Sequence, residues 1–150
     1  EVVPQGGGKP VVIGENIRDS FFAFDARMLP DGLYRLTVTA SDYPGNEARE
    51  ALTGERVLPC FEIDNTPPLV EMTGISSDTL KFRVSDNTGI NAARVSRDGE
   101  RWDPVESDTG TFAAPSDTYT VKIMPGDNWI VFQAADSYGN VSTKAWIAKN

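Results

Sequence analysis

A short pattern, D-x-x-G-N, occurs twice in this chain, as Asp42-Tyr43-Pro44-Gly45-Asn46 and as Asp136-Ser137-Tyr138-Gly139-Asn140. Each copy follows a strand-like run, Leu33–Ser41 before the first and Asn128–Ala135 before the second, in which one face at period two is apolar. Alternation at period two marks a strand with one buried face, and clustered Asp, Gly and Asn end such strands by turning the chain. Between the copies, Asp64-Asn65-Thr66-Pro67-Pro68 places two prolines in succession. Neither can donate to a β-ladder, so this joint must end one sheet before another begins. A strand–turn unit repeated on both sides of a proline joint predicts an all-β chain of two tandem sandwiches, 1–66 and 67–150.

The second segment carries enough strands for a complete sandwich. Leu69–Met72, Leu80–Val84, Ala92–Ser96, Arg101–Val105, the inward set Tyr119, Val121 and Ile123, the run before Asp136, and Val141–Ala148 give seven, with Asp98-Gly99 as a hairpin turn. The first segment offers fewer. Residues 11–13 and 20–24 read as short strands, Pro30-Asp31-Gly32 as a turn, and Arg56–Asp64 as the last strand. In the strand launched by that turn, Tyr34, Leu36, Val38 and Ala40 share one face.

The two motifs serve as a ruler. About 60 residues precede the strand leading to Asp136 within its segment, against about 32 before the strand leading to Asp42. The opening strands of the first sandwich are therefore expected to be missing. A fragment of a longer protein, a naturally reduced unit, and completion by strands from a neighbouring chain all explain this, and the fragment is favoured. An open sheet edge invites pairing, so the first unit is also the expected contact with other domains or with a second chain.

Composition removes several functions. The formal net charge is −8, without the basic footprint that nucleic acids or anionic membranes need. No apolar run approaches the ~20 residues of a membrane-crossing helix. No histidine is present, which excludes Ser-His-Asp and Cys-His catalysis and histidine-ligated zinc. The Gly6-Gly7-Gly8 run lacks the following Lys-Ser/Thr of a phosphate loop. The acidic residues sit at turns of different strands, with no pair framed across a scissile bond. The expectation is a non-enzyme without a cofactor. The single cysteine, Cys60, lies in an apolar stretch, Val57–Ile63, and reads as a buried, inert thiol. Asp42, Asp136 and the Asp64-Asn65 joint admit calcium, which takes six to eight oxygens. The simpler reading makes these aspartates turn acceptors, with glycine at a positive-φ position; no metal ligand is assigned.

Leu29-Pro30-Asp31-Gly32-x-Tyr34, Val38-x-Ala40-Ser41-Asp42 and Phe61-x-Ile63-Asp64-Asn65-Thr66-Pro67-Pro68, with Asp98-Gly99-x-x-Trp102 and Ala135-Asp136-x-x-Gly139-Asn140 in the second segment, resemble bacterial fibronectin type III or immunoglobulin-like repeats. The likeness covers nearly the whole chain after residue 10. It is similar to the tandem sandwiches found in C-terminal tails of secreted proteins that contain β-propellers. The resemblance implies an extracytoplasmic spacer, adhesion or docking module; it implies no activity.

Tryptophans supply the candidate surface. With Ile130, Phe132 and Ala134 inward, Trp129 and Val131 point outward; with Val141, Thr143, Ala145 and Ile147 inward on the next strand, Trp146 points outward beside them. Trp129, Val131 and Trp146 are thus the expected docking patch. It could pack on another domain of the same protein or bind a glycan or protein ligand, and an inverted face assignment would dissolve it.

Overall fold

The structure, a computed structural model, describes residues 1–47, 49–111 and 113–148. The chain divides into two units, Glu1–Asn65 and Thr66–Asn150. Among the described residues all regular structure is β, in three antiparallel sheets, apart from short 3-10 turns at Ala26–Met28 and Tyr43–Gly45.

The first unit is one sheet in the order β1-β2-β3, built from β1 (Val2–Pro4), β2 (Gly32–Ser41) and β3 (Thr53–Ile63). Leu36 lies opposite Val2, and Tyr34 lies between Pro4 and Phe61. Directly opposed residues share a face, so these side chains gather on one side. Val2, Tyr34 and Ile63 are buried there with Leu29, and Ile13, Phe24, Leu36 and Phe61 pack against them. The turn feeding β2 is tied down twice: the Tyr34 hydroxyl donates to the Pro30 carbonyl at 2.7 Å, and the Asn65 N–H donates to Asp31 Oδ1 at 2.7 Å.

Three expectations for this unit need correction. Of the segments expected as strands at 11–13 and 20–24, only Val11 pairs, in a single bridge to Val2. Residues 20–24 join no ladder; Phe24 reaches the core while Phe21 is 79% exposed. A strand needs a neighbour to pair with, and β1 takes the adjacent edge of β2. The alternating face of β2 is buried only at its start, because the core ends near Leu36 and leaves Val38 exposed. Cys60 is exposed rather than buried. It lies opposite Arg35, on the sheet face turned away from Tyr34 and Phe61, and its sulfur accepts a hydrogen bond from the Gln5 amide. Apolar neighbours in sequence misled here, since neighbours along a strand point to opposite faces.

A register shift interrupts β2–β3. Arg35 pairs with Cys60 but Thr37 pairs with Val57, so Leu58 and Pro59 together face Leu36. This bulge places a residue without an N–H where the ladder is already broken.

The second unit has seven strands: β4 (Leu69–Ile75), β5 (Thr79–Ser85), β6 (Ile90–Ser96), β7 (Asp103–Pro104), β8 (Ser116–Lys122), β9 (Trp129–Asp136) and β10 (Val141–Ile147). They form a sheet β4-β5-β8 and a sheet β10-β9-β6-β7, which together enclose one core. Leu80, Phe82 and Val84 alternate with Lys81 and Arg83 on β5, and the apolar set is completely buried. From the other sheet, Ile130, Phe132 and Ala134 are equally buried. Phe82 and Phe132 stack with centroids 4.4 Å apart, and Tyr119 tilts onto Phe132 at 5.5 Å. A bulge at Asn91 shifts the β6–β9 register, so that Ile90 and Ala93, three residues apart, both face inward.

Candidate functional site

The inward alternation of β9 fixes what its other face displays. Trp129, Val131, Gln133 and Ala135 are half-buried and point outward, while Ile130, Phe132, Ala134 and Asp136 are buried. Register with β10 then decides the neighbours. Trp129 lies opposite Ile147, Val131 opposite Ala145, Gln133 opposite Thr143, and Ala135 opposite Val141. Trp146 lies opposite Ile130 and packs against the core.

The structure therefore brings Trp129 and Val131 together but takes Trp146 off their face. The sequence of β10 conceals this, because Val141, Thr143, Ala145 and Ile147 look like the apolar set. A one-residue change of phase moves every side chain to the other face, and the turn after Asp136 sets that phase. Ile147, 71% exposed, takes the place expected of Trp146.

On the other side of β9, Arg94 lies opposite Gln133 and Ser96 opposite Val131. Arg94 Nε donates to Gln133 Oε1 at 2.6 Å, and its guanidinium carbon sits 4.8 Å from the centre of the Trp102 ring. Stacking and a hydrogen bond from one edge hold the guanidinium plane in place. The Arg97–Arg101 turn borders the surface. Asp98 Oδ1 accepts from the N–H groups of Arg101 and Glu100, which with the Arg101 side chain hold its carboxyl well below the usual carboxylate range. Gly99, at φ +81°, approaches the Trp129 ring closely: a Cβ there would lie 3.5 Å from it. The outward face of this sheet thus carries Trp129, Val131, Ala145 and Ile147 beside an Arg94–Trp102–Gln133 cluster. Alternation along β6, with Ala92, Arg94 and Ser96 opposite the inward Ala93 and Val95, is the signal that marks Arg94 as belonging to it.

No protein-family model, curated protein or solved structure matches the chain.

The two D-x-x-G-N aspartates do different things. Asp136 is 1% exposed; its Oδ1 accepts from the N–H groups of Tyr138 and Asn140, and its Oδ2 from the Asn140 amide. Gly139 supplies the positive φ of +87°. Asp42 instead heads a 3-10 turn and accepts from Leu52 N–H at 2.7 Å, closing a longer loop. The pattern is one sequence with two local conformations.

Asp86, in the β5–β6 turn, places its carboxylate within 4.8 Å of that of Asp136. Its Oδ1 accepts from the N–H groups of Thr88 and Gly89 and from the Thr88 hydroxyl, whereas its Oδ2 is buried without a hydrogen-bond partner among the described residues. These are the residues of the second unit best placed to hold a cation, though two aspartates offer fewer oxygens than the six to eight calcium takes. Asp64, at the end of β3 in the first unit, is also buried.

Proposed function

We propose that this chain is a non-catalytic structural and docking module of a larger protein, with the outward face of the β10-β9-β6-β7 sheet as its contact surface. The observation that carries the reading is that face itself. Its centre is apolar and aromatic, with a single arginine, and interfaces concentrate aromatic residues and Arg while excluding other charges from their cores. The strand order supports an immunoglobulin or fibronectin III-like identity for the second unit. Lettered in chain order, β4, β5 and β8 stand as A, B and E, and β10, β9, β6 and β7 as G, F, C and C′. The Tyr34 hydroxyl bond at the entry to β2 has the form of the tyrosine corner of such domains. An extracytoplasmic setting goes with that resemblance.

Hydroxyl-radical footprinting tests the docking reading without knowledge of the partner. Oxidation of Trp129 and Ile147 is compared between the purified chain and the chain within its native extract. Protection of both in the extract, with unchanged labelling of Met124 elsewhere in the unit, is the expected result. Equal labelling in the two samples sinks the proposal.

A further inference from the structure

We infer that the docking face recognises a carboxylate set among apolar side chains on a partner protein, and that Arg94 is the residue that reads it. The inference rests on the docking reading above and adds the chemistry of the occupant. Among the described residues Arg27, Arg97 and Arg101 pair with Asp25, Asp127 and Asp98, and the remaining arginines form no ion pair. Arg94 differs from those others in being held in place by a side-chain amide and an aromatic ring. Arg94 forms no ion pair among the described residues, although it is exposed. Its Nε is occupied by Gln133 and one ring face of Trp102 lies against it, so the terminal nitrogens remain for a ligand. A guanidinium fixed in this way meets a carboxylate with two parallel hydrogen bonds and little further loss of side-chain freedom.

The surroundings favour a protein over a sugar as the carrier of that carboxylate. A pyranose stacks on an open tryptophan face, and Arg94 already lies over one face of Trp102. Val131, Ala145 and Ile147 offer aliphatic contact instead, which suits apolar side chains flanking an Asp or Glu. At the border of this patch the Asp98 carboxylate reaches the Ser96 hydroxyl and is itself paired with Arg101.

The test uses NMR titration of the full chain with three probes: the capped peptide Leu-Glu-Leu, its Leu-Gln-Leu counterpart, and a glucuronic-acid disaccharide. Indole N–H resonances of Trp102 and Trp129 are the readout. The expected result is a saturable shift with the Glu peptide, at least about fivefold weaker with the Gln peptide, and reduced to the Gln level in Arg94→Gln. Arg83→Gln, on the other sheet, should leave it unchanged. Equal shifts from both peptides would show that the face docks apolar segments without reading a carboxylate, which overturns this inference and leaves the docking reading standing. A shift with the disaccharide alone makes the site a glycan site and overturns the protein carrier. No shift with any probe up to about 10 mM, a range where contacts worth more than about 3 kcal/mol would register, overturns the inference outright.

Discussion

Single side chains carry unequal weight in this molecule, and the rings that meet between the two sheets of the second unit carry the most. Phe132 is fully buried, stacked on Phe82 and touched by Tyr119, so no single neighbour can relax into the space it leaves. Phe132→Ala is expected to destabilise the second unit by about 3–5 kcal/mol in denaturant unfolding; a loss below about 1 kcal/mol would mean that this stack is not the centre of the core. Asp86 makes a second residue-level case. Its carboxylate lies within 4.8 Å of that of Asp136, and its Oδ2 is buried without a hydrogen-bond partner among the described residues. Asp86→Asn keeps the Oδ1 acceptor and replaces the orphaned oxygen with a donor, removing a like-charge contact. In a chelator-containing buffer at pH 7 the variant should melt higher than the wild type, and a lower melting temperature would refute the repulsion argument. Asp136 and its turn were legible from sequence because every group involved lies within five residues. The Asp86 partnership was not, since it joins two turns 50 positions apart.

At the scale of elements, legibility followed periodicity. The alternation of β5, β8 and β9 located those strands and their inward residues, because each is one face of a single core. β10 failed the same argument. It is an edge strand whose outward residues, Val141, Thr143, Ala145 and Ile147, are more apolar than the inward Ser142, Lys144 and Trp146, so pattern alone chose the wrong phase. The strand expected at Arg101–Val105 is present as the short β7, paired with β6 across the Asp98-Gly99 turn. The unpaired 20–24 segment failed for another reason: pairing depends on a neighbour that local sequence does not name. The strand β8 also carries an acid-sensitive element. Burial opposes ionisation of Asp117, yet hydrogen bonds from the Thr109 hydroxyl at 2.6 Å and the Thr118 N–H at 2.7 Å hold its carboxyl below the ordinary value of 3.8. A carboxyl depressed in the folded state is protonated first in the unfolded chain, so its stabilisation is present above about pH 4 and is lost as the pH falls through the folded value. Asp117→Asn should flatten the stability profile below pH 4 and lower stability at pH 7. Identical profiles for variant and wild type below pH 4 would dismiss Asp117 as the acid-labile group.

For the whole molecule, the difference between the units is one of core. Among the described residues, twelve buried side chains knit the second, whereas four form the buried centre of the first. Small cores leave little net stability after the conformational entropy of ordering the chain. Residues 66–150 alone should therefore fold, with amide NMR positions for β5, β8 and β9 that overlay those of the full chain. Collapse of that spectrum would show that the second unit depends on the first. The two-unit division was readable from the proline joint, while the three-stranded sheet of the first unit was not, because the 11–13 and 20–24 segments look like strands and gain no ladder.

Pro59 gives the first unit a safeguard of its own. The outer edge of β3 is eleven residues long, and an uninterrupted edge of that length would template the stacking of further chains into fibrils. The bulge at Leu58-Pro59 cuts this edge into two short stretches, removes one N–H from it and twists what remains. Pro59→Thr should restore the missing N–H on that edge while leaving the bulge and the buried side chains of the unit in place. Agitated solutions of that variant are expected to gain thioflavin fluorescence sooner than the wild type, and an unchanged lag time would locate the protection elsewhere. The proline that breaks the ladder inside one molecule is then what keeps many molecules apart.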